Sequence, residues 1–313
     1  MKNPHITEQA MKHLLLIIAA LSIPSAYAAD CQSDRVKLQI LGSRGPEFLD
    51  GRASTGYLVW LDGKARVLVD AGPGSARNFA KSGANYADVR VMLLSHFHVD
   101  HVNDFSAYVK AGFFTDRTAK LRVFGPSGSR LASSAGDFVQ RQIGKNGAYP
   151  YLSSFIDPEA ASSYKIDTTT IPWSEKNLEP SLVYRDGDFT VRSVTVHHGA
   201  FPALGYRVET AGCVISFTGD MSGRLGAMPD LATGSDILVA HNAIPEDAEG
   251  VPALLHMKPS YIGKMAARAG VKKLLLTHLM RRTVDRQDET AALIRKHYHG
   301  PIAFPDDLDV FHP

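Results

Sequence analysis

The chain has 313 residues, 44% of them hydrophobic, which is long enough for one large core or two modest domains. The formal net charge is +2 and charged residues make up 21%. This composition gives no strong electrostatic bias toward nucleic acid or a membrane surface, and it gives no sign of disorder.

The first 28 residues are typical of a secretory signal peptide. Lys12 precedes an apolar run over residues 14–23, Pro24 ends that run, and Ala26-Tyr27-Ala28 resembles a cleavage site. An uncleaved anchor or a buried helix is the alternative, although the run is short for a bilayer span. We therefore predict a signal peptide over residues 1–28, a periplasmic or secreted product, and no membrane attachment after cleavage.

Export affects how the two cysteines are interpreted. Cys31 and Cys213 are the only cysteines in the sequence, and an oxidising compartment allows them to pair. Sequence alone does not decide between a disulfide and two unpaired thiols, so both remain open at this point.

Apolar runs bounded by turn residues predict strands and helices in both halves of the remaining chain. The predicted strands are 36–41, 56–61, 65–69, 89–94, 121–124, 189–196, 204–209, 213–217, 237–240 and 273–277, and the predicted helices are 75–82, 259–269 and 289–297. Asp62-Gly63 is a strong hairpin signal between the second and third strands. Residues 126–180 are harder to assign and are interpreted as an insertion or a lid. We treat residues 30–313 as one domain of sheets covered by helices.

The decisive segment is Ser95-His96-Phe97-His98-Val99-Asp100-His101, directly after a predicted buried strand. In extended backbone His96 and His98 point to the same side, so both can bind one metal. Asp100 and His101 come from the following turn and can face a second metal. Such ligands suit zinc, with iron or manganese as alternatives. A polar loop with chance histidines is the alternative interpretation, and it would leave clustered polar groups without partners.

These four residues match the His-x-His-x-Asp-His signature of the metallo-β-lactamase superfamily, which the chain resembles. The resemblance implies an α/β fold, namely an αββα sandwich of two central mixed sheets flanked by helices. It also implies a histidine after a later strand, a bridging aspartate, and a last histidine near the C-terminus.

Candidates for these three ligands occur in the expected order. Asp220, at the end of the segment Phe217-Thr218-Gly219-Asp220, is the candidate bridge, with an ordinary turn residue as the alternative. His278 is the candidate last ligand. His197 and His198 compete for the middle position, and we choose His198 because it shares the strand parity of the apolar residues before it.

The resemblance thus implies two Zn²⁺ ions bridged by Asp220. The first ion has the ligands His96, His98 and His198, and the second has Asp100, His101 and His278. Asp70 resembles the family's early aspartate, which orients a ligand histidine; a cap for the glycines after it is an alternative that does not exclude this role.

Several stretches resemble the tRNase Z and arylsulfatase-like branch of the superfamily, namely 42–46, 70–74, 202–208 and 217–220. The residues from His241 onward resemble that branch's His-Glu-Ala-Thr motif, but Asn242 replaces the glutamate. His256 lies where the branch has another histidine before a helix. His241 and His256 are candidates for proton donation to a leaving group, with ordinary loop or buried histidines as the alternative.

We therefore expect an exported, binuclear, zinc-dependent hydrolase. In this hypothesis a metal-bridging hydroxide attacks a phosphodiester or sulfate ester. The candidate catalytic residues are Asp100, Asp220, His241 and His256. The alternatives are a lactonase or β-lactamase-like hydrolase of a cyclic ester or amide, and a non-catalytic zinc-binding protein. We expect a small-molecule substrate and leave a homodimer open.

We do not expect tRNA as a substrate. Asn242 removes the glutamate that supports a catalytic histidine in tRNase Z. Residues 113–180 contain eight Lys/Arg and seven Asp/Glu, without the clustered cations that a phosphate backbone requires. An exported protein would also rarely encounter precursor tRNA.

Overall fold

Two seven-stranded mixed sheets form the centre of the computed structural model, which describes residues 30–313. The first sheet contains, in spatial order, β14 (Val310–Phe311), β1 (Val36–Gly42), β2 (Gly56–Leu61), β3 (Lys64–Val69), β4 (Val91–Leu93), β5 (Leu121–Pro126) and β6 (Ile166–Ile171). The second contains β13 (Ile302–Ala303), β12 (Lys273–Thr277), β11 (Ile237–His241), β10 (Cys213–Phe217), β9 (Phe201–Thr210), β8 (Thr190–His198) and β7 (Ser181–Arg185). The predicted signal peptide lies outside the described residues.

Helices cover the outer face of each sheet. The helices are α1 (Ser75–Lys81), α2 (Val99–Val102), α3 (Phe105–Gly112), α4 (Ala135–Ile143), α5 (Met228–Leu231), α6 (Val251–Leu255), α7 (Pro259–Ala269), α8 (Arg281–Val284) and α9 (Gln287–Arg295). Helices α1, α3 and α4 pack on the first sheet, and α5, α7 and α9 pack on the second. The predicted αββα sandwich is therefore confirmed. Within residues 30–313, no helix combines the length and the apolar character that a membrane span requires.

Strand β2 explains why the strands appear as continuous apolar runs. Tyr57, Val59 and Leu61 face the second sheet, whereas Leu58 and Trp60 face the helical layer. Successive side chains of a strand point to opposite faces, so a strand buried on both faces must be apolar at every position. The hairpin to β3 turns at Asp62 and Gly63, whose φ values are 51° and 72°, as a two-residue turn with left-handed geometry requires.

Residues 126–180 add structure to the first sheet, contrary to the expectation of a lid. They form α4, a 3₁₀ helix over Pro150–Phe155, and the edge strand β6. Ser134 caps α4 by accepting a hydrogen bond from the Asp137 backbone N–H at 3.1 Å. This segment looked irregular in the sequence because its elements are short and separated by turns.

The strand directions place several functional side chains at one edge. Strands β3 and β4 run parallel in the first sheet, as do β10, β11 and β12 in the second. The carboxyl ends of parallel strands lie at the same edge of a sheet. The histidine-rich segment follows β4, and Asp220 and His278 follow β10 and β12. The topology therefore brings ligands that are far apart in the sequence to one place.

The two cysteines are paired. Cys31, before β1, forms a disulfide with Cys213 at the start of β10, across a sequence separation of 182 residues. Cys213 is fully buried, and Cys31 packs against the core between the sheets. The structure thus resolves the alternative that the sequence left open, and the bridge joins the N-terminal segment of the described chain to the second sheet.

Candidate metal centre

Two groups of nitrogen and oxygen ligand atoms meet at the shared sheet edge, on side chains that are buried except for the half-buried His98. His96, His98, His198 and Asp220 each offer one ligand atom within 4.8 Å of the others. His101, Asp220, His241 and His278 form a second such group. Asp220 belongs to both groups, which is the arrangement expected of a bridging carboxylate.

In the first group, three histidines surround one oxygen of Asp220. Asp220 Oδ2 lies 3.9 Å from His96 Nε2 and 3.7 Å from His198 Nε2. His98 Nδ1 lies 3.2 Å from His198 Nε2. The other nitrogen of His198 donates to the Leu255 carbonyl at 2.9 Å, which leaves Nε2 free to act as a ligand. His197 points elsewhere, with Nδ1 2.8 Å from Ser222 Oγ.

In the second group, Asp100 brings a further carboxylate close to two histidines. Asp100 Oδ2 lies 3.1 Å from His278 Nε2 and 3.5 Å from His101 Nε2. Gly45 makes room for His278, because a Cβ at position 45 would lie 2.7 Å from the imidazole Cε1. Gly45, in the turn at residues 42–46, therefore allows the ligand His278 to pack closely against the backbone.

Asp70 orients His101. Its Oδ2 accepts a hydrogen bond from His101 Nδ1 at 2.8 Å, and its Oδ1 accepts one from the Ser95 backbone N–H at 2.7 Å. The bond from Nδ1 fixes the tautomer of His101 and directs its Nε2 lone pair into the cluster. Asp70 itself adopts a positive φ of 57°, at the turn that follows β3.

The donor set fits divalent metal ions. Nε2 of His96 and Nε2 of His101 are buried and have no hydrogen-bond partner. Unpaired buried polar atoms are costly, and a metal ion is the partner that an imidazole lone pair in such a cluster can use. Burial holds the pKa of His198 down to about 4, so its ring is neutral at neutral pH and can serve as a ligand.

The carboxylates require positive charge nearby. Burial acts to raise the pKa of Asp220, but the surrounding histidines, first His278, hold that pKa well below its usual range. Conversely, burial acts to lower the pKa of His101, and the carboxylates of Asp100 and Asp70 raise it above its usual value. Positive charge around Asp220 therefore favours its ionised form, and bound metal ions would supply such charge.

A pocket of about 280 Å³ opens onto the cluster. The ligand side chains on its wall are His98, Asp100, His198, Asp220 and His278, and the remaining wall consists of Pro46, Val251, Pro252, Leu255, His256, Met280 and Arg282. Helix α6 supplies one side of this wall. Residues 126–180, interpreted from the sequence as an insertion or a lid, contribute no residue to this wall.

His241 and His256 occupy different places relative to this pocket. His256 lies on the wall, with Nδ1 3.8 Å from Asp220 Oδ2 and without a hydrogen-bond partner. His241 lies behind Asp220, and its Nδ1 is 2.7 Å from Asp220 Oδ1. The buried Asn242 reaches the Ile244 carbonyl at 3.4 Å. No hydrogen bond joins Asn242 to His256 in the described structure. Asn242 therefore does not support His256 in the way that the glutamate of the His-Glu-Ala-Thr motif supports a catalytic histidine in tRNase Z.

Arg282 is a pocket residue that the sequence analysis missed. Its Nε donates to the Ala243 carbonyl at 2.7 Å, and among residues 30–313 it forms no ion pair with a carboxylate. Burial lowers its pKa, and nearby Glu47 acts against that effect. No local pattern in the sequence marks Arg282, because its place on the wall depends on the tertiary structure.

The two adjacent histidines of β8 differ in their expected effect on metal content. We predict that His198→Ala loses about one equivalent of metal per chain, because the first group loses an imidazole ligand. His197→Ala should retain the metal content of the unmodified protein, since His197 contacts Ser222. Metal content by inductively coupled plasma mass spectrometry checks this, with circular dichroism as the folding control. Loss of metal from His197→Ala alone would reverse our assignment.

Comparisons with known proteins agree with this geometry. Residues 65–279 match the family described as the beta-lactamase superfamily domain. Ribonuclease Z of Mycolicibacterium paratuberculosis is 28% identical over 286 residues, covering 87% of this chain and 96% of that protein. Ribonuclease Z of Methanopyrus kandleri is 30% identical over 262 residues, covering 77% and 86%. The structure of human tRNase Z, short form, superposes with a TM-score of 0.65 at 19% identity, covering 88% of this chain and 98% of that one.

These comparisons correct the expectation that tRNA is excluded. The relatives matched along most of the chain are named ribonuclease Z, and the similar human fold is a tRNase Z. The near-neutral charge of residues 113–180 and the replacement at Asn242 are local features, and they do not outweigh a match that extends over most of the chain. Residues 65–279 match the family, and the structure has the αββα sandwich and the two-group ligand set that the family resemblance implied. The chain therefore belongs to the metallo-β-lactamase superfamily, and it is a metal-dependent hydrolase that resembles tRNase Z.

Proposed function

We propose that this protein is an exported, two-metal phosphodiesterase that cleaves RNA. The observation that carries the proposal is the complete ligand constellation, with Asp220 shared between two groups, in a chain that matches ribonuclease Z relatives over 87% of its length. Zinc is the proposed metal, because histidine and carboxylate ligands suit it.

The pocket has the charge that a phosphodiester substrate requires. Arg282 presents a guanidinium group at the wall without a carboxylate partner. Its Nε is anchored to a backbone carbonyl and its Nη2 lies 3.2 Å from Met280 Sδ, so its Nη1 can donate to phosphoryl oxygens. A neutral lactone or amide has no negative charge to pair with this guanidinium group. We therefore favour a phosphodiester over the cyclic ester and amide alternatives.

The residues of the chain divide the work of hydrolysis. The two ligand groups would hold zinc, which when bound would supply Lewis acidity to lower the pKa of water and to withdraw charge from the phosphoryl oxygens. Asp220 holds the two ligand groups together, and Arg282 orients the substrate phosphate. His256 is our candidate for protonating the leaving oxygen. Burial lowers its pKa to about 3, so its ring is neutral in the free protein, and this role requires the negative charge of a bound phosphodiester to raise that pKa.

Two observations support export. Residues 1–28 have the pattern of a signal peptide, and the described chain contains a disulfide between Cys31 and Cys213. Disulfides form and persist mainly in oxidising compartments. The proposed substrate is accordingly RNA that this enzyme meets outside the cytoplasm.

The first prediction concerns substrate class. Purified protein loaded with zinc should cleave RNA and bis(p-nitrophenyl) phosphate, and Asp220→Ala should lower kcat/KM by more than about 100-fold, because a shared ligand is lost. The RNA panel includes a precursor tRNA with a 3′ extension and an unstructured RNA. Parallel assays with p-nitrophenyl sulfate, a lactone and nitrocefin test the other chemistries. Turnover of one of these alone would refute the RNA proposal, and two bound metals without any turnover would favour a zinc-binding protein.

The second prediction concerns Arg282. Arg282→Met should lower kcat/KM for RNA by about 10- to 100-fold, since a hydrogen bond to a charged group contributes about 1.5–3 kcal/mol. The neighbouring Arg281 is exposed and provides the matched control, so Arg281→Met should change kcat/KM by less than about 3-fold, as surface substitutions usually do. Steady-state kinetics on RNA distinguish the two. Equal losses in both variants would assign the effect to general surface charge.

The third prediction concerns location and the disulfide. The full chain expressed in a host with a periplasm should be recovered there, shortened by about 28 residues and without free thiols. Deletion of residues 1–28 should leave the protein in the cytoplasm with alkylatable cysteines. In that reduced state the free energy of unfolding should fall by about 2–4 kcal/mol, measured by urea denaturation. Retention of the full chain in the cytoplasm would contradict the export proposal.

A further inference from the structure

We infer that Tyr57 is a positioning residue for the metal centre, acting through His241 on the shared carboxylate of Asp220. This inference rests on the proposed two-metal centre, but it does not depend on which substrate the enzyme hydrolyses. It also assigns His241 a positioning role, as distinct from the proton donation to a leaving group for which the sequence made it a candidate.

A continuous chain of hydrogen bonds connects these residues. Tyr57 Oη lies 2.7 Å from Thr277 Oγ1 and 2.9 Å from His241 Nε2. His241 Nδ1 lies 2.7 Å from Asp220 Oδ1. Each of the four side chains is at most 2% exposed. Hydrogen bonds in such dry surroundings are stronger than in water, and an unpaired group there is costly.

The chemistry of the groups fixes the direction of the chain. An ionised Asp220 can only accept, so His241 Nδ1 carries the proton and donates it to Oδ1. A neutral imidazole then accepts at Nε2, and the group that donates there is the Tyr57 hydroxyl. Tyr57 thus selects the tautomer of His241 that can hold Asp220.

Both ring nitrogens of His241 are occupied by these bonds. His241 has an atom within the second ligand group, but its Nδ1 faces Asp220 and its Nε2 faces Tyr57. His241 is also absent from the pocket wall, unlike His256. Its position therefore suits holding a carboxylate from behind, and leaves the substrate side to other residues.

The bond from His241 sets how the Asp220 carboxylate is rotated. With Oδ1 held, Oδ2 lies 3.6 Å from His101 Nε2, 3.7 Å from His198 Nε2 and 3.9 Å from His96 Nε2. A rotation of the carboxylate would move Oδ2 away from ligands of both groups. The orientation that allows one aspartate to serve two metals is thus maintained by a neighbour that binds neither.

The fold makes this chain possible by joining the two sheets. His241 and Thr277 are register partners on the parallel strands β11 and β12 of the second sheet. Tyr57 projects from β2 of the first sheet across the core between the sheets. One hydroxyl therefore bonds to two adjacent strands of the opposite sheet, directly behind the ligands.

Tyr57→Phe tests the inference, because it removes one oxygen and keeps the ring. We expect zinc affinity, measured by competition with a chelator, to fall by about 10- to 100-fold, as is typical for residues that support metal ligands. The kcat for bis(p-nitrophenyl) phosphate at limiting zinc should fall in parallel. Tyr108→Phe is the matched control: Tyr108 is equally buried but bonds to Ser75, 3.3 Å away, in the outer layer. Its zinc affinity should stay unchanged.

A double-mutant cycle separates positioning from general stability. The amide nitrogen of His241→Asn can donate to Asp220 in place of Nδ1, without any need for Tyr57 to select a tautomer. In that background the additional Tyr57→Phe change should weaken zinc binding by less than about 3-fold. The inference would be overturned if Tyr57→Phe left zinc affinity unchanged, or if Tyr108→Phe lowered zinc affinity as much as Tyr57→Phe does. It would also be overturned if Tyr57→Phe lowered zinc affinity as much in the His241→Asn background as in the unmodified protein. If only RNA cleavage were absent, the proposed function would be refuted, and the zinc affinities would still decide whether Tyr57 positions the metal centre.

Discussion

A buried carboxylate that faces several imidazole lone pairs is unfavourable unless positive charge lies among them, and this constraint organises the rest of the molecule. Removing an ionised carboxylate from water is costly, and the histidines around Asp220 offset the cost only when positive charge is present. Ligand atoms within 4.8 Å of one another therefore form a site that is built for metal ions and is incomplete as a purely organic cluster.

The double-sheet scaffold meets this constraint by dividing the ligands between two rigid frames. The first sheet contributes the segment from His96 to His101, and the second contributes His198, Asp220 and His278. Neither sheet holds a complete group by itself. Because the core between the sheets fixes their relative position, the metal centre and the packing of the sandwich depend on each other. The Tyr57 hydroxyl is one point at which this dependence is direct.

Supporting contacts behind the ligands determine their chemistry as much as the ligands do. Asp70 selects the tautomer of His101, and the Leu255 carbonyl does the same for His198. Helix α6, which carries Leu255, also lines the pocket. A change in this helix therefore affects both a metal ligand and the surface that a substrate meets. Arg282, on the same pocket wall, adds the positive charge on which the proposed RNA substrate would depend.

The sequence by itself determined the family, the αββα architecture and most of the ligand candidates. His96, His98, Asp100 and His101 lie within six residues, so one short segment contains enough spacing information to identify the chemistry. Strand parity favoured His198 because alternation is a local property of extended backbone. The pairing of His96 with His98 and the choice of His198 rest on neighbours in the chain, for which spacing in the sequence translates directly into direction in space. The αββα architecture and the distant ligands Asp220 and His278 were implied by the resemblance to the superfamily.

The tertiary structure decided what depends on contacts between distant segments. The pairing of Cys31 with Cys213, the placement of residues 126–180 away from the pocket, and the different positions of His241 and His256 all require both sheets to be assembled. Tyr57 looked like any apolar strand residue in the sequence, since nothing local marks a hydroxyl that reaches the opposite sheet. The physical reason is that hydrogen bonds and pocket walls form between residues that are close in space. The order of residues along the chain does not specify which distant residues become close.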